Sequence, residues 1–191
     1  FSNLMCWAGL DRAHRMHKAG FLPSLTLDLD AARARAAQAL LNATKDGSLR
    51  NGPKDDTYDA SLAQAAILGF PNRDVCESTM QSIARALAVQ TGGKETGFYF
   101  RYLRTDDFGR PQSSFVICSF WVVQGLARLG RMAEAQQIMA QVLTGANHLG
   151  LFSEHFVPET RTQLGNFPQA YSHVGLINAA FAVSPSWTTV L

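Results

Sequence analysis

Apolar residues recur at helical spacing in seven stretches of the chain. Residues 3–19 place Leu4, Trp7, Ala8, Leu10 and Met16 near one face, with Asp11-Arg12 and Arg15 on the other, and end at Gly20. Residues 29–43 are rich in alanine and leucine, with Arg33 and Arg35 outward and Thr26 or Asp28 available as a cap. A third run, from Asp59 to Gly69, is apolar on nearly every side. Asp74 offers a cap for residues 75–89, which turn Val75, Met80, Ile83, Ala84 and Leu87 inward. Gln112 to Gly130 is again apolar almost all round, whereas residues 132–143 are amphipathic through Met132, Ala135, Ile138, Met139 and Val142. Pro168 opens the last helix, which runs to about residue 182 before Ser184-Pro185.

Between these stretches the connections differ in length. Short turns, as at 129–131, alternate with long loops at 44–58, 90–112 and 144–167. Within the second loop, residues 98–104 are aromatic and predict an extended segment. Alternation there puts Tyr99, Arg101 and Leu103 on one side and Phe98, Phe100 and Tyr102 on the other. Helices apolar on all sides belong inside other helices. Alternating them with amphipathic ones predicts an all-α fold of two concentric layers, with 59–70 and 112–129 innermost. A closed double ring of six hairpins needs twelve helices, so residues 1–184 read as a portion of such a domain and residues 185–191 as a tail. The long loops should gather at one end, where ligands meet a rigid scaffold.

Composition narrows the class. Of 191 residues, 47% are hydrophobic and 17% charged, which suits a packed core rather than disorder. The net charge of +2 is spread evenly, so neither nucleic acid nor an anionic membrane surface is indicated, and no apolar run has the length of a membrane span. Cys6, Cys76 and Cys118 lack metal-site spacing and read as buried free thiols, which favours a reducing, cytoplasmic setting. His14 and His17 share a helix face without an acidic or thiol partner and read as a surface pair. No metal or cofactor is expected. The first residue is Phe and no signal segment precedes the first helix, so the chain reads as part of a longer or processed polypeptide and its localisation stays open.

The candidate chemistry lies in residues 147–173. Gly150, Pro158, Gly165 and Pro168 break this stretch into a loop, yet Leu149, Leu151, Phe152, Phe156 and Phe167 make it too apolar for an idle connector. Glu154 stands near its middle, with His148, His155 and His173 within sequence reach. Glu159, beside Pro158, reads as solvated. No second Glu has the apolar setting of a protonated general acid.

Leu-Phe-Ser-Glu-His-Phe at 151–156, followed by Gln-Leu-Gly-Asn-Phe-Pro-Gln-Ala-Tyr-Ser-His-Val at 163–174, resembles the general-base loop of glycoside hydrolase family 15. That family holds glucoamylases, bacterial glucodextranases and a group of trehalases. The likeness spans residues 4–182 and includes Asp59-Ala-Ser-Leu, Arg101-Tyr102, Phe115 and Cys118-Ser-Phe-Trp121. It implies an (α/α)6 toroid that hydrolyses α-glucosidic bonds with inversion. By the same resemblance Glu154 would activate the attacking water, Arg101 would hydrogen-bond sugar hydroxyls and Tyr171 would sit beside the base. Asp59 and Trp121 would join the sugar site, although an N-cap role for Asp59, a core role for Trp121 and aromatic stacking for Arg101 explain those residues as well.

The family's general acid belongs to a Trp-Glu segment just before the helix that Met5–Ala13 resembles, so the acid is expected outside this chain. The 191-residue chain alone is therefore expected to be inactive and to need its missing N-terminal part. The substrate implied is an α-glucan, a gluco-oligosaccharide or trehalose. Two other classes remain: a non-catalytic sugar-binding remnant that keeps Arg101 and Tyr171, and a helical-repeat interaction protein. The second rests on residues 126–135, which resemble one tetratricopeptide hairpin, but no 34-residue period recurs.

Overall fold

The structure, a computed structural model, describes residues 1–24, 26–107 and 109–186. Most of the proposed tail therefore lies outside the described residues. Seven α-helices form among the described residues: Ser2–Lys18 (α1), Leu29–Leu41 (α2), Gln64–Leu68 (α3), Arg73–Leu87 (α4), Val116–Arg128 (α5), Met132–Leu143 (α6) and Ala170–Val183 (α7). The fold is all-α with inner apolar and outer amphipathic helices, as their alternation predicts, and it agrees with the six-hairpin toroid type that the resemblance implies.

Helix caps explain several boundaries. The Asp28 carboxylate accepts from Ala31 N–H at the start of α2, and Asp59 accepts from Ser61 N–H ahead of α3. That third element begins as a 3-10 turn, Ala60–Ala63, rather than as one continuous helix. Asn72, not Asp74, caps α4 by accepting from Val75 N–H; Asp74 falls inside the first turn, where its charge still favours the helix dipole.

Helix α5 is the centre of the molecule. Val116, Ile117, Cys118, Phe120, Val122 and Val123 are buried around its whole circumference, and α3, α6 and α7 pack against it. The α5–α7 contact is close because Gly175 has no side chain. A Cβ there would lie 2.6 Å from Ile117 Cδ1 and 3.1 Å from both Phe120 Cβ and Cδ2. Gly175→Ala is therefore expected to destabilise the fold by about 1–3 kcal/mol through overpacking. Urea unfolding measures this, and an unchanged midpoint would remove Gly175 as a packing determinant.

The connections sort by end. The short turns 69–72 and 129–131 lie together, joined by a hydrogen bond from the Arg73 guanidinium to Leu129 C=O. The long loops gather at the opposite end, where Arg101 meets Asp59, Arg104 approaches Asp55, and Val116 N–H donates to Glu154 C=O. These loops hold small sheets that the sequence pattern did not predict. Thr44–Lys45 (β1) pairs with Ser48–Leu49 (β2), and Ala88–Thr91 (β3) pairs with Lys94–Tyr99 (β4). Extended structure thus ends at Tyr99 instead of covering 98–104. Ser114–Phe115 (β5), His155–Val157 (β6) and Thr162–Leu164 (β7) form a three-stranded sheet in the order β5-β6-β7.

Other expectations at the surface are corrected. Asp11 and His14 are buried, on the same helical stripe as Leu4 and Trp7. Asp11 tolerates burial because Arg12, Arg15 and Arg33 surround its carboxylate. Arg33 accordingly turns inward rather than to solvent. His14 faces Asp30 at 3.5 Å, whereas exposed His17 bonds Leu22 C=O, so the two histidines are not a pair. Cys6 falls off the buried stripe and is exposed; Cys76 and Cys118 are buried, and burial pushes the Cys76 thiol up to about 11. Finally, α7 is apolar all round but leaves Tyr171, Val174, Ile177 and Phe181 open to solvent. No helix among the described residues is long and apolar enough to cross a membrane.

Candidate active site

Glu154 sits immediately before β6, between two neighbours that fix its backbone. Its C=O accepts from Val116 N–H, the first residue of α5, at 3.0 Å, and its N–H donates to Asn166 C=O at 3.0 Å. The sheet thereby ties the candidate base to the start of the central helix. The side chain is held as well: Glu154 Oε2 accepts from Asn166 Nδ2–H at 2.9 Å and from Asn166 N–H at 3.2 Å.

Glu154 lines a cavity of about 500 Å³ together with Arg101, Tyr102, Asp106, Phe115 and His155. This size suits a small ligand. Arg101 is locked in place from behind. Its Nε–H donates to Asp59 Oδ1 at 2.5 Å, and its guanidinium lies 5.7 Å above the Trp121 ring. Burial opposes the Arg101 charge, but the hydrogen bond and charge of Asp59 outweigh it and raise the pKa. The guanidinium is thus a permanent, oriented donor at the cavity wall.

Asp59 and Trp121 stand behind Arg101 and do not line the cavity. Asp59 is 5% exposed and Trp121 is 8% exposed, and both contact Arg101 from behind. Asp59 combines its cap role with the ion pair, since one oxygen serves both Ser61 N–H and Arg101. Tyr171 also lies off the cavity wall. It meets Trp121 edge to face at 6.1 Å and is half exposed. The next residue, Ser172, donates its hydroxyl to Ser153 C=O at 2.8 Å, which brings the start of α7 against the Glu154 segment.

Of the three nearby histidines, His155 alone lines the cavity. Its ring stacks on Phe115 at 5.0 Å, and Nδ1 lies 3.1 Å from Ser114 C=O and 3.2 Å from Ser113 Oγ. His148 is exposed, and His173 is spent on Gln169 C=O within its own helix. Gln112, Arg110 and Tyr102 add polar groups to the cavity that the sequence pattern alone did not single out. The second carboxylate at the cavity is Asp106, which is exposed and accepts from the Tyr102 hydroxyl. It lacks the apolar setting of a protonated general acid. Among the described residues no cluster of three His, Cys, Asp or Glu side chains could hold a metal ion.

A helical double layer with one polar cavity at its loop end is the layout of the six-hairpin glycosidases. A solved glycosidase superposes on 81% of this chain with a TM-score of 0.64 and 20% identity, covering 44% of that protein. A variant of a glycosidase in complex with glucose superposes equally well. In sequence, residues 129–181 match glycosyl hydrolases family 15. A trehalase of Mycolicibacterium smegmatis is 33% identical over 187 residues, 95% of this chain and 27% of that protein. A trehalase of Thermoplasma acidophilum is 38% identical over 125 residues, 64% of this chain and 20% of that protein. The chain is thus similar to glycoside hydrolase family 15 over residues 129–181 and to these trehalases over most of its length, with the fold of a glycosidase. It spans about a quarter of the length of the curated relatives it matches.

Proposed function

We propose that this chain supplies the general-base side of an inverting α-glucosidase active site, with Glu154 as the base. The observation that carries the reading is the shared cavity of Glu154 and a pre-oriented Arg101. Inversion needs a carboxylate that takes a proton from water on one face of the sugar. It also needs a protonated acid on the leaving-group side, about 6.5–9.5 Å away. Glu154 has the first role, with Oε2 anchored and Oε1 left for water. Arg101 orients the sugar through its hydroxyls, and Asp59 and Trp121 keep Arg101 in one rotamer. Tyr171 packs edge to face on Trp121 and so backs Arg101 from the side of α7. The acid comes from elsewhere in the longer protein, because exposed Asp106 is unsuited to the role.

Among the α-glucosides the family hydrolyses, trehalose is the substrate that the relatives' names favour. The full-length protein is expected to release glucose from trehalose faster than from maltose or isomaltose, while the 191-residue chain alone releases none. Glucose assays on both proteins with the three disaccharides check this. Faster release from maltose would redirect the reading to a glucoamylase-like enzyme. Release by the 191-residue chain, abolished by Glu154→Gln, would place an acid within these residues.

A further inference from the structure

The path of the chain at Gly165 and Asn166 is irregular in a way that serves one side chain. Strands β6 and β7 pair regularly, with Val157 opposite Thr162 and His155 opposite Leu164. The next residue in step with Glu154 would be Gly165. Instead, Glu154 N–H reaches past it to Asn166 C=O. One extra residue therefore lies on the β7 side. That residue is a glycine with φ +76°, the left-handed conformation found at the first position of a glycine bulge. Bulges of this kind re-aim side chains next to functional sites.

Here the re-aimed side chain is Asn166. The extra residue brings both its backbone N–H and its amide onto the same oxygen, Oε2 of Glu154. Two donors on one carboxylate oxygen, one of them at 2.9 Å, fix the plane of the carboxylate. The other oxygen takes no hydrogen bond from the described residues. Gly165 is needed for the approach as well as for the turn: a Cβ there would stand 2.9 Å from Oε2 and 3.1 Å from Glu154 Cβ.

We infer that Asn166 is the positioning residue of the general base. It holds Oε2, leaving Oε1 as the single oxygen that accepts the proton from water, and the Gly165 bulge exists to put it there. The inference rests on the reading of Glu154 as base. Asn166 touches neither sugar nor water in this scheme; it acts through Glu154.

The test uses the full-length protein with trehalose as substrate. Asn166→Asp is close to isosteric but replaces the side-chain donor by an acceptor. It also sets a like charge beside Glu154, so Asn166→Ala runs alongside to separate loss of the donor from repulsion. Loss of the aim on a base is expected to lower kcat by about 10²-fold, since misplacement of a reacting group by about 1 Å has effects of that size. KM should stay within about threefold, because sugar contacts are made elsewhere. Melting temperature is measured alongside, and Glu154→Gln runs in parallel. If Glu154→Gln loses turnover while Asn166→Asp loses less than about tenfold, the positioning role is overturned and the base stands. If Glu154→Gln itself keeps normal turnover, the base reading fails and the positioning role falls with it. Should Asn166→Asp melt early, Asn166→Ala decides by the same tenfold criterion, since it removes the side-chain amide without adding a charge and leaves the backbone N–H in place.

Discussion

In the full-length protein, Glu154→Gln is expected to lower kcat by about 10²–10⁴, the usual worth of general acid–base help. The amide is nearly isosteric with the carboxylate. Its oxygen can still accept from Asn166 Nδ2–H, now 2.9 Å from Oε2, so the segment should keep its shape. What it cannot do is take a proton from water. The loss should therefore fall on kcat, with KM within about threefold. Steady-state kinetics on trehalose measure both constants. Turnover within about threefold of the parent would sink the assignment of Glu154 and point to another group at the cavity, with His155 first in line.

Arg101→Met carries the second large effect, on both stability and sugar affinity. Removing the guanidinium leaves Asp59 buried with Ser61 N–H as its one partner among the described residues. Breaking a fully buried pair costs about 3–5 kcal/mol. Arg101 is itself about a third exposed, so screening reduces the expected loss to about 2–3 kcal/mol. Asp59→Asn in the same chain should recover part of that loss, because it removes the stranded charge. Sugar affinity should not recover, since the pre-oriented guanidinium is still missing from the cavity wall. Urea unfolding of the single and double variants, with KM for trehalose, separates the two effects. Equal stability of Arg101→Met and the parent would show that the ion pair does not hold the loop.

The helical layers were readable because burial on all sides and burial on one side leave different patterns in the sequence. Helix α5 carries apolar or small residues at nearly every position, and only an inner element can do so. Helices α1 and α2 were also legible, but the sides of Asp11 and Arg33 were not. A carboxylate on an apolar stripe looks like an exposed residue until its arginine partners are known, and Arg33 comes from another helix. The loop sheets were hidden for a related reason. Two- and three-residue strands such as β5 and β6 are too short to show alternation, and their stability comes from each other. The place of Glu154 at the loop-end cavity was legible through the family likeness of its flanking residues. The Asn166 contact was not, since it depends on one glycine adopting φ +76°. The likeness also led Asp59 and Trp121 to be grouped with the sugar contacts, where the structure puts them behind Arg101.

The bond from Val116 N–H to Glu154 C=O has a mechanical meaning. Residue 116 is the first turn of α5, and the next residue, Ile117, is one that a side chain at position 175 would strike. Pressure between the inner helices thus acts one residue away from the bond that holds the backbone of Glu154, the proposed base. A close-packed interior transmits such displacement instead of absorbing it. The inner helices then work as a lever arm whose short end is the proposed base, and a methyl group added deep in the packing would mistune it from a distance.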